Sequence, residues 1–100
     1  MEIETKNGRL EVTLPAVLDL PAAGDLRDTL VEALTRDAAA ELVLKGADVE
    51  RITTASLQVI LAAAADFKRA SHRLEIDAPS QQLSDAFHQL GLEADLAALS

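Results

Sequence analysis

Between Val49 and Leu61 the chain passes from a polar loop into an apolar amphipathic segment, and Thr53, Thr54 and Ser56 cluster at the boundary. Hydroxyl side chains at such a boundary accept hydrogen bonds from the unpaired N–H groups of a new helix's first turn. The same N–H groups, with the helix dipole, favour a phosphate at that place. The passage therefore calls for a helix that starts near Thr54 and lays its apolar stripe on a core. Three hydroxyls cannot all cap one helix, so at least one is left over, as a solvated side chain or as a regulatory phosphorylation site.

The rest of the chain supplies the surface on which that helix lies. Asn7-Gly8 is a favoured two-residue hairpin turn because both positions tolerate positive φ. It joins a strand from Glu2 to Lys6 with one from Arg9 to Leu14, where Leu10, Val12 and Leu14 alternate with Glu11 and Thr13. Pro15 has no N–H for a ladder and ends the pairing. Pro21, near a first helical position, and Leu26, Leu30 and Leu34 at four-residue spacing predict a helix over about 21–36. Glu41 to Lys45 reads as a buried central strand stopped by Gly46.

The second helix is expected from about Thr54 to Arg69, with Leu57, Ile60, Leu61, Ala64 and Phe67 as its buried stripe. Leu74 to Ile76 reads as a further strand. Pro79-Ser80 opens a third helix with Leu83, Phe87 and Leu90 on one face, and Gly91 stops it. Leu92, Leu96 and Leu99 suit a short terminal helix. The order is β-β-α-β-α-β-α-α. That predicts one small α/β domain over 1–100, with a mixed sheet of about four strands and about four helices.

Composition narrows the function classes. Seventeen acids against nine bases give a formal net charge of −8, which disfavours nucleic acid and anionic membranes as partners. The two aromatic residues, Phe67 and Phe87, offer no platform for stacked bases. Cys is absent, so thiolate chemistry and disulfides are excluded. Met1-Glu2-Ile3-Glu4 has no basic stretch followed by an apolar run, and no apolar run reaches the roughly 18 residues of a spanning helix. A soluble, cytoplasmic protein without direct membrane insertion is the expectation.

Catalytic patterns are equally thin. His72 and His88 lie 16 residues apart, and neither has a second His at metal-ligand spacing, so no metal site is expected. No Gly-x-Ser-x-Gly is present, and the single glycines at 8, 24, 46 and 91 make no phosphate cradle. Asp48 and Glu50 lie in a polar loop, where a raised pKa is hard to arrange. No catalytic residue and no cofactor are expected. A small enzyme or nucleotide-binding protein is the least supported reading.

Taken over its whole length, the chain resembles the STAS domain, the fold of bacterial anti-sigma-factor antagonists. In that family an aliphatic strand leads through a loop to Asp-Ser-Ser-Gly-Leu, which opens an amphipathic helix. Here Leu42-Val43-Leu44 and Val49 to Ile52 match the approach, Thr53-Thr54-Ala55-Ser56-Leu57 the pentad, and Val59-Ile60-Leu61 the helix. Leu18-Asp19-Leu20, followed by an Ala-rich stretch and Leu26-Arg27, is similar to the family's other strand-to-helix passage. The chain departs from the pattern with Thr53 for the Asp, Ser56 for the Gly, and Lys45-Gly46 where the strand usually ends in Asp.

The resemblance implies that Thr54 aligns with the phosphorylated Ser of the antagonists, with Thr53 and Ser56 as the neighbouring phosphorylation candidates. It implies a regulatory module that binds a protein partner through Leu18, Asp19, Leu20, Arg51, Thr53, Thr54, Ser56 and Gln58. In the antagonists that partner is an anti-sigma factor with serine kinase activity. Related small STAS proteins also occur beside chemotaxis kinases and as cytoplasmic subunits of lipid-transporting ABC complexes. A constitutive subunit of such an assembly is the alternative to a phospho-switch.

Overall fold

The computed structural model describes residues 1–36 and 41–99. Its elements are β1 (Glu4–Lys6), β2 (Arg9–Thr13), β3 (Val17–Leu18), α1 (Leu20–Arg36) and β4 (Leu42–Lys45), followed by β5 (Arg51–Ile52), α2 (Thr54–Arg69), β6 (Leu74–Asp77), α3 (Gln81–Gln89) and α4 (Glu93–Leu99). The main sheet has the order β1-β2-β4-β6. Only β1 runs antiparallel, as the Asn7-Gly8 turn requires, with φ of 52° and 76° at its two residues. β2, β4 and β6 are parallel, so helices must return the chain between them. The four-stranded mixed sheet and four helices agree with the sequence; the added β3 and β5, two residues each, pair with one another in a separate sheet.

One face of the main sheet carries Leu10, Val12, Leu42, Leu44, Leu74 and Ile76, all buried in the core with Leu26, Leu30, Leu57, Ile60, Phe67, Leu83 and Phe87. The other face is ionic. Arg9 on β2 reaches Glu41 at 3.5 Å and Glu75 on β6 at 3.2 Å, while Lys45 pairs with Asp77 at 3.1 Å. Because β4 lies between β2 and β6, the Arg9–Glu75 pair spans it. Val43 sits on this face in register with Glu11 and Glu75 and is still only 2% exposed. Long charged side chains cover apolar surface with their stems while their ends stay wet. That is why β4 reads as an uninterrupted apolar run although helices cover only one of its faces.

The helix ends follow from local chemistry. At the end of α2 the His72 N–H donates to Phe67 O (2.8 Å) and the Ser71 N–H to Lys68 O (3.0 Å), a Schellman motif with Ser71 at φ 60°. α3 ends the same way, with Leu92 to Phe87 O (2.8 Å), Gly91 to His88 O (3.0 Å) and Gly91 at φ 70°. Ser80 caps α3 by accepting from Leu83 N at 3.1 Å, and its hydroxyl donates to Val49 O at 2.6 Å. The loop that precedes β5 is thereby pinned to α3. Among the described residues no helix is long and apolar enough to cross a membrane.

Candidate functional site

The small β3–β5 sheet brings the two strand-to-helix passages together. Val17 pairs with Arg51 and Leu18 with Ile52, in parallel. Ala16 O accepts from Glu50 N (2.7 Å) and Arg51 N (3.0 Å), and Leu18 O accepts from Thr53 N (2.9 Å). The starts of α1 and α2 therefore lie side by side.

Each hydroxyl of the cluster has a different position. Thr53, extended at φ −83° and ψ 160°, is the N-cap of α2, and its Oγ1 accepts from Ser56 N at 3.3 Å. Ser56 is fully buried, and its hydroxyl donates to Leu18 O (3.1 Å) and Asp19 O (3.2 Å). Thr53 Oγ1 also lies 3.3 Å from Ser56 Oγ. Thr54 occupies the first helical position, exposed, and its hydroxyl makes no hydrogen bond within the described residues. The leftover hydroxyl is that of Thr54.

Two of the residues expected to face a partner do not. Leu18 is fully buried in the core, and Ser56 is turned inward to the α1 passage. Neither side chain is accessible, for contact or for phosphorylation, in this conformation. Ser56 turns inward through the rotation of α2, whose buried residues are Ser56, Leu57, Ile60, Ala63 and Phe67, while Leu61 and Ala64 are only half-buried. Asp19, Leu20, Arg51, Thr53, Thr54 and Gln58 are exposed. Asp19 has a structural task as well, since its Oδ1 accepts from Ala22 N at 3.1 Å and so caps α1.

Sequence reasoning missed the apolar part of the site. Leu90, expected on the buried face of α3, is its C-cap and is 45% exposed. It lines a shallow hollow with Ile52, Thr53, Thr54, Leu57, Ala86 and Gln89. A second hollow, lined by Val17, Leu18, Asp19, Arg51, Ile52 and Thr53, shares Ile52 and Thr53 with the first. Val17 is 37% and Leu20 70% exposed. Three of the four large exposed hydrophobic residues of the described chain thus surround the start of α2. Among the described residues Arg51 makes no ion pair, and the nearby acids Asp48 and Glu50 are exposed.

Among the described residues no three His, Cys, Asp or Glu side chains are placed to hold a metal ion. His72 stands edge-on to Phe67 with ring centroids 6.2 Å apart, and His88 Nδ1 lies 2.6 Å from Glu93 Oε1. Both histidines belong to helix ends far in sequence from the hydroxyl cluster.

Comparison with known proteins agrees with the architecture. No curated protein sequence matches the chain. The structure of the anti-sigma factor antagonist SpoIIAA in its unphosphorylated form superposes with a TM-score of 0.78 at 16% identity, covering 93% of this chain and 82% of that one. At that identity the likeness shows the fold. The sequence profile of the family described as "Mlab, STAS domain" matches residues 1–99, and the chain belongs to the STAS domain family.

Proposed function

We propose that this STAS domain is a non-catalytic, cytoplasmic regulatory module that docks a protein partner over the start of α2, with Thr54 as the group through which binding is controlled. The observation that carries the reading is a pair of adjoining hollows lined by the exposed Val17 and Leu90 beside an exposed Thr54 whose hydroxyl makes no hydrogen bond among the described residues. Exposed apolar side chains grouped around polar ones mark interaction surfaces more than isolated exposed ones do. A phosphate on Thr54 would add about −1.5 to −2 charges. One acidic partner group about 7 Å away would feel roughly 2 kcal/mol per unit charge at an effective ε near 20. Since 1.4 kcal/mol is tenfold in affinity, release needs no rearrangement of the domain.

A second reading has its own support. Thr53 and Ser56 tie the start of α2 to the α1 passage through neutral hydroxyls, which leaves a preformed contact surface that needs no modification. Such a domain suits a constitutive subunit of a larger signalling or transport assembly. The partner retrieved by pull-down from cell extract should be titrated with wild type, Thr54→Ala and Thr54→Glu, with unfolding midpoints as the control. The switch predicts near-normal binding for Ala and about a tenfold loss for Glu, which carries about half the charge of a phosphate. The constitutive subunit predicts equal losses, because both variants remove the hydroxyl contact. Unchanged binding by both would place the partner elsewhere.

A further inference from the structure

We infer that the outer face of the α1–α2 pair associates with a second copy of this chain. A groove runs between the two helices, floored by Leu30, Ala63 and Phe67 and walled by Val31, Leu34 and Val59. It includes none of Ile52, Thr53 or Thr54. Val31, on its rim, is 54% exposed, the one large exposed hydrophobic residue of the described chain away from the start of α2.

The charges on the groove are self-complementary. Arg27 is the first of its α1 residues, and Asp66 stands near the end of its α2 residues. Both helices return the chain to a strand of the same parallel set, so they run in the same direction and the two charges mark opposite ends. Antiparallel apposition about a two-fold axis lays the positive end of each copy over the negative end of the other, as an isologous contact requires. Among the described residues Arg27 makes no ion pair, whereas Asp66 meets Arg69 in an exposed pair of little strength.

Gly24 points the same way. It lies in α1, seven residues before Val31 and on the same row, exposed, and a Cβ there would meet nothing within 4 Å. Glycine in an exposed helix interior is less stable than alanine, and no contact among the described residues requires it here. On a packed face it lets the backbone of a second copy approach closely.

The size of the face sets the strength. Helices of 17 and 16 residues are each about 25 Å long and pack about 10 Å apart. They present roughly 500 Å² per copy, about 1,000 Å² in total, which is the lower end for a specific interface. A dissociation constant on the order of 10 µM or weaker follows. The net charge of −8 on each copy opposes contact at low salt, so association should be firmer at about 150 mM than at about 10 mM salt.

Sedimentation equilibrium of the full chain from about 5 to 500 µM tests this against the interface size. The average mass should rise from 10.6 kDa towards twice that value. Val31→Glu should weaken association at least tenfold, and Gly24→Leu, which adds bulk only to the outer face, should weaken it as well. Arg27→Asp should also weaken it, and the double variant Arg27→Asp/Asp66→Arg should restore it to within about threefold, since the swap regenerates both symmetric pairs. Ala62→Glu, at an exposed position of the same groove, replaces Val31→Glu if circular dichroism shows that variant unfolded. A monomer at every concentration overturns the inference. So does a dimer indifferent to Val31→Glu or Ala62→Glu, or a charge swap that fails to restore association.

Discussion

The Ser56 hydroxyl donates to the main-chain carbonyl of Leu18 at 3.1 Å, joining the start of α2 to a passage 38 residues earlier. Its second acceptor is Asp19 O, at 3.2 Å. Both carbonyls also accept main-chain bonds, Leu18 from Thr53 N and Asp19 from Ala23 N. Ser56→Ala therefore leaves no carbonyl orphaned and should cost about 1 kcal/mol. Ser56→Glu, which forces a charge and extra volume into a closed space, should cost on the order of 4 kcal/mol or leave the chain unfolded. Urea unfolding of both variants measures this. A stable Ser56→Glu protein would show that the site opens, and would return Ser56 to the set of accessible hydroxyls.

Ser71 and Gly91 hold the same position in two Schellman motifs, at φ 60° and 70°. An L-residue in this region is strained and glycine is not. Ser71→Gly should stabilise the domain by about 0.5–1 kcal/mol, and Gly91→Ser should destabilise it by a similar amount. Thermal midpoints moving in opposite directions are the expected result. Midpoints that move together would show that other contacts decide these turns.

Much of this architecture was legible because the deciding signals are local. Asn7-Gly8 fixes the hairpin through two positive φ values, and the cap at Thr53 follows from one hydroxyl before an apolar stripe. β3 and β5 were not legible: two residues each carry no periodicity, and Val17 meets Arg51 only after the chain has built α1 and β4. The inward turn of Ser56 was hidden by the Ala-rich sequence. With Ala at 62 to 65, the stripe through Ala64 and the one through Ala63 are almost equally apolar, and only the second carries Ser56 inside. The 56-60-63-67 spacing held that signal, but a Ser among aliphatic residues did not announce it. Leu90 misled for the opposite reason, since an apolar residue at a helix end need not stay on the buried face.

Gly46 is constrained by space. It follows β4, donates its N–H to Asp77 O (3.0 Å), and accepts from Ser80 N at 3.0 Å. A Cβ there would lie 2.9 Å from Leu83 Cδ2 and 3.3 Å from Pro79 Cα. Leu83 is itself fully buried and has little room to retreat. Gly46→Ala should cost about 2 kcal/mol through overpacking. Combining it with Leu83→Ala, which opens room, should recover part of that loss relative to Leu83→Ala alone. A double-mutant cycle in urea checks it, and strictly additive losses would mean that Pro79, and not Leu83, sets the limit.

Thr53 caps α2 with a neutral hydroxyl in a place where the helix dipole favours negative charge. Thr53→Ala should cost about 1 kcal/mol, because the Ser56 N–H loses its acceptor. Thr53→Asp should keep the cap and add about 0.5 kcal/mol at neutral pH from the interaction of the carboxylate with the helix N-terminus. The sign of its pH dependence follows from linkage. A carboxylate favoured by the helix N-terminus has a folded-state pKa below its unfolded value of about 3.9. Its contribution is therefore present in full above the unfolded value, and is lost as pH falls through the folded one. The stability difference between Thr53→Asp and wild type should be flat from about pH 7 to 5 and shrink below about pH 4. Urea unfolding of the two proteins across that range provides the measurement. A difference that is still undiminished at about pH 2.5 would assign the gain to hydrogen-bond geometry in place of charge.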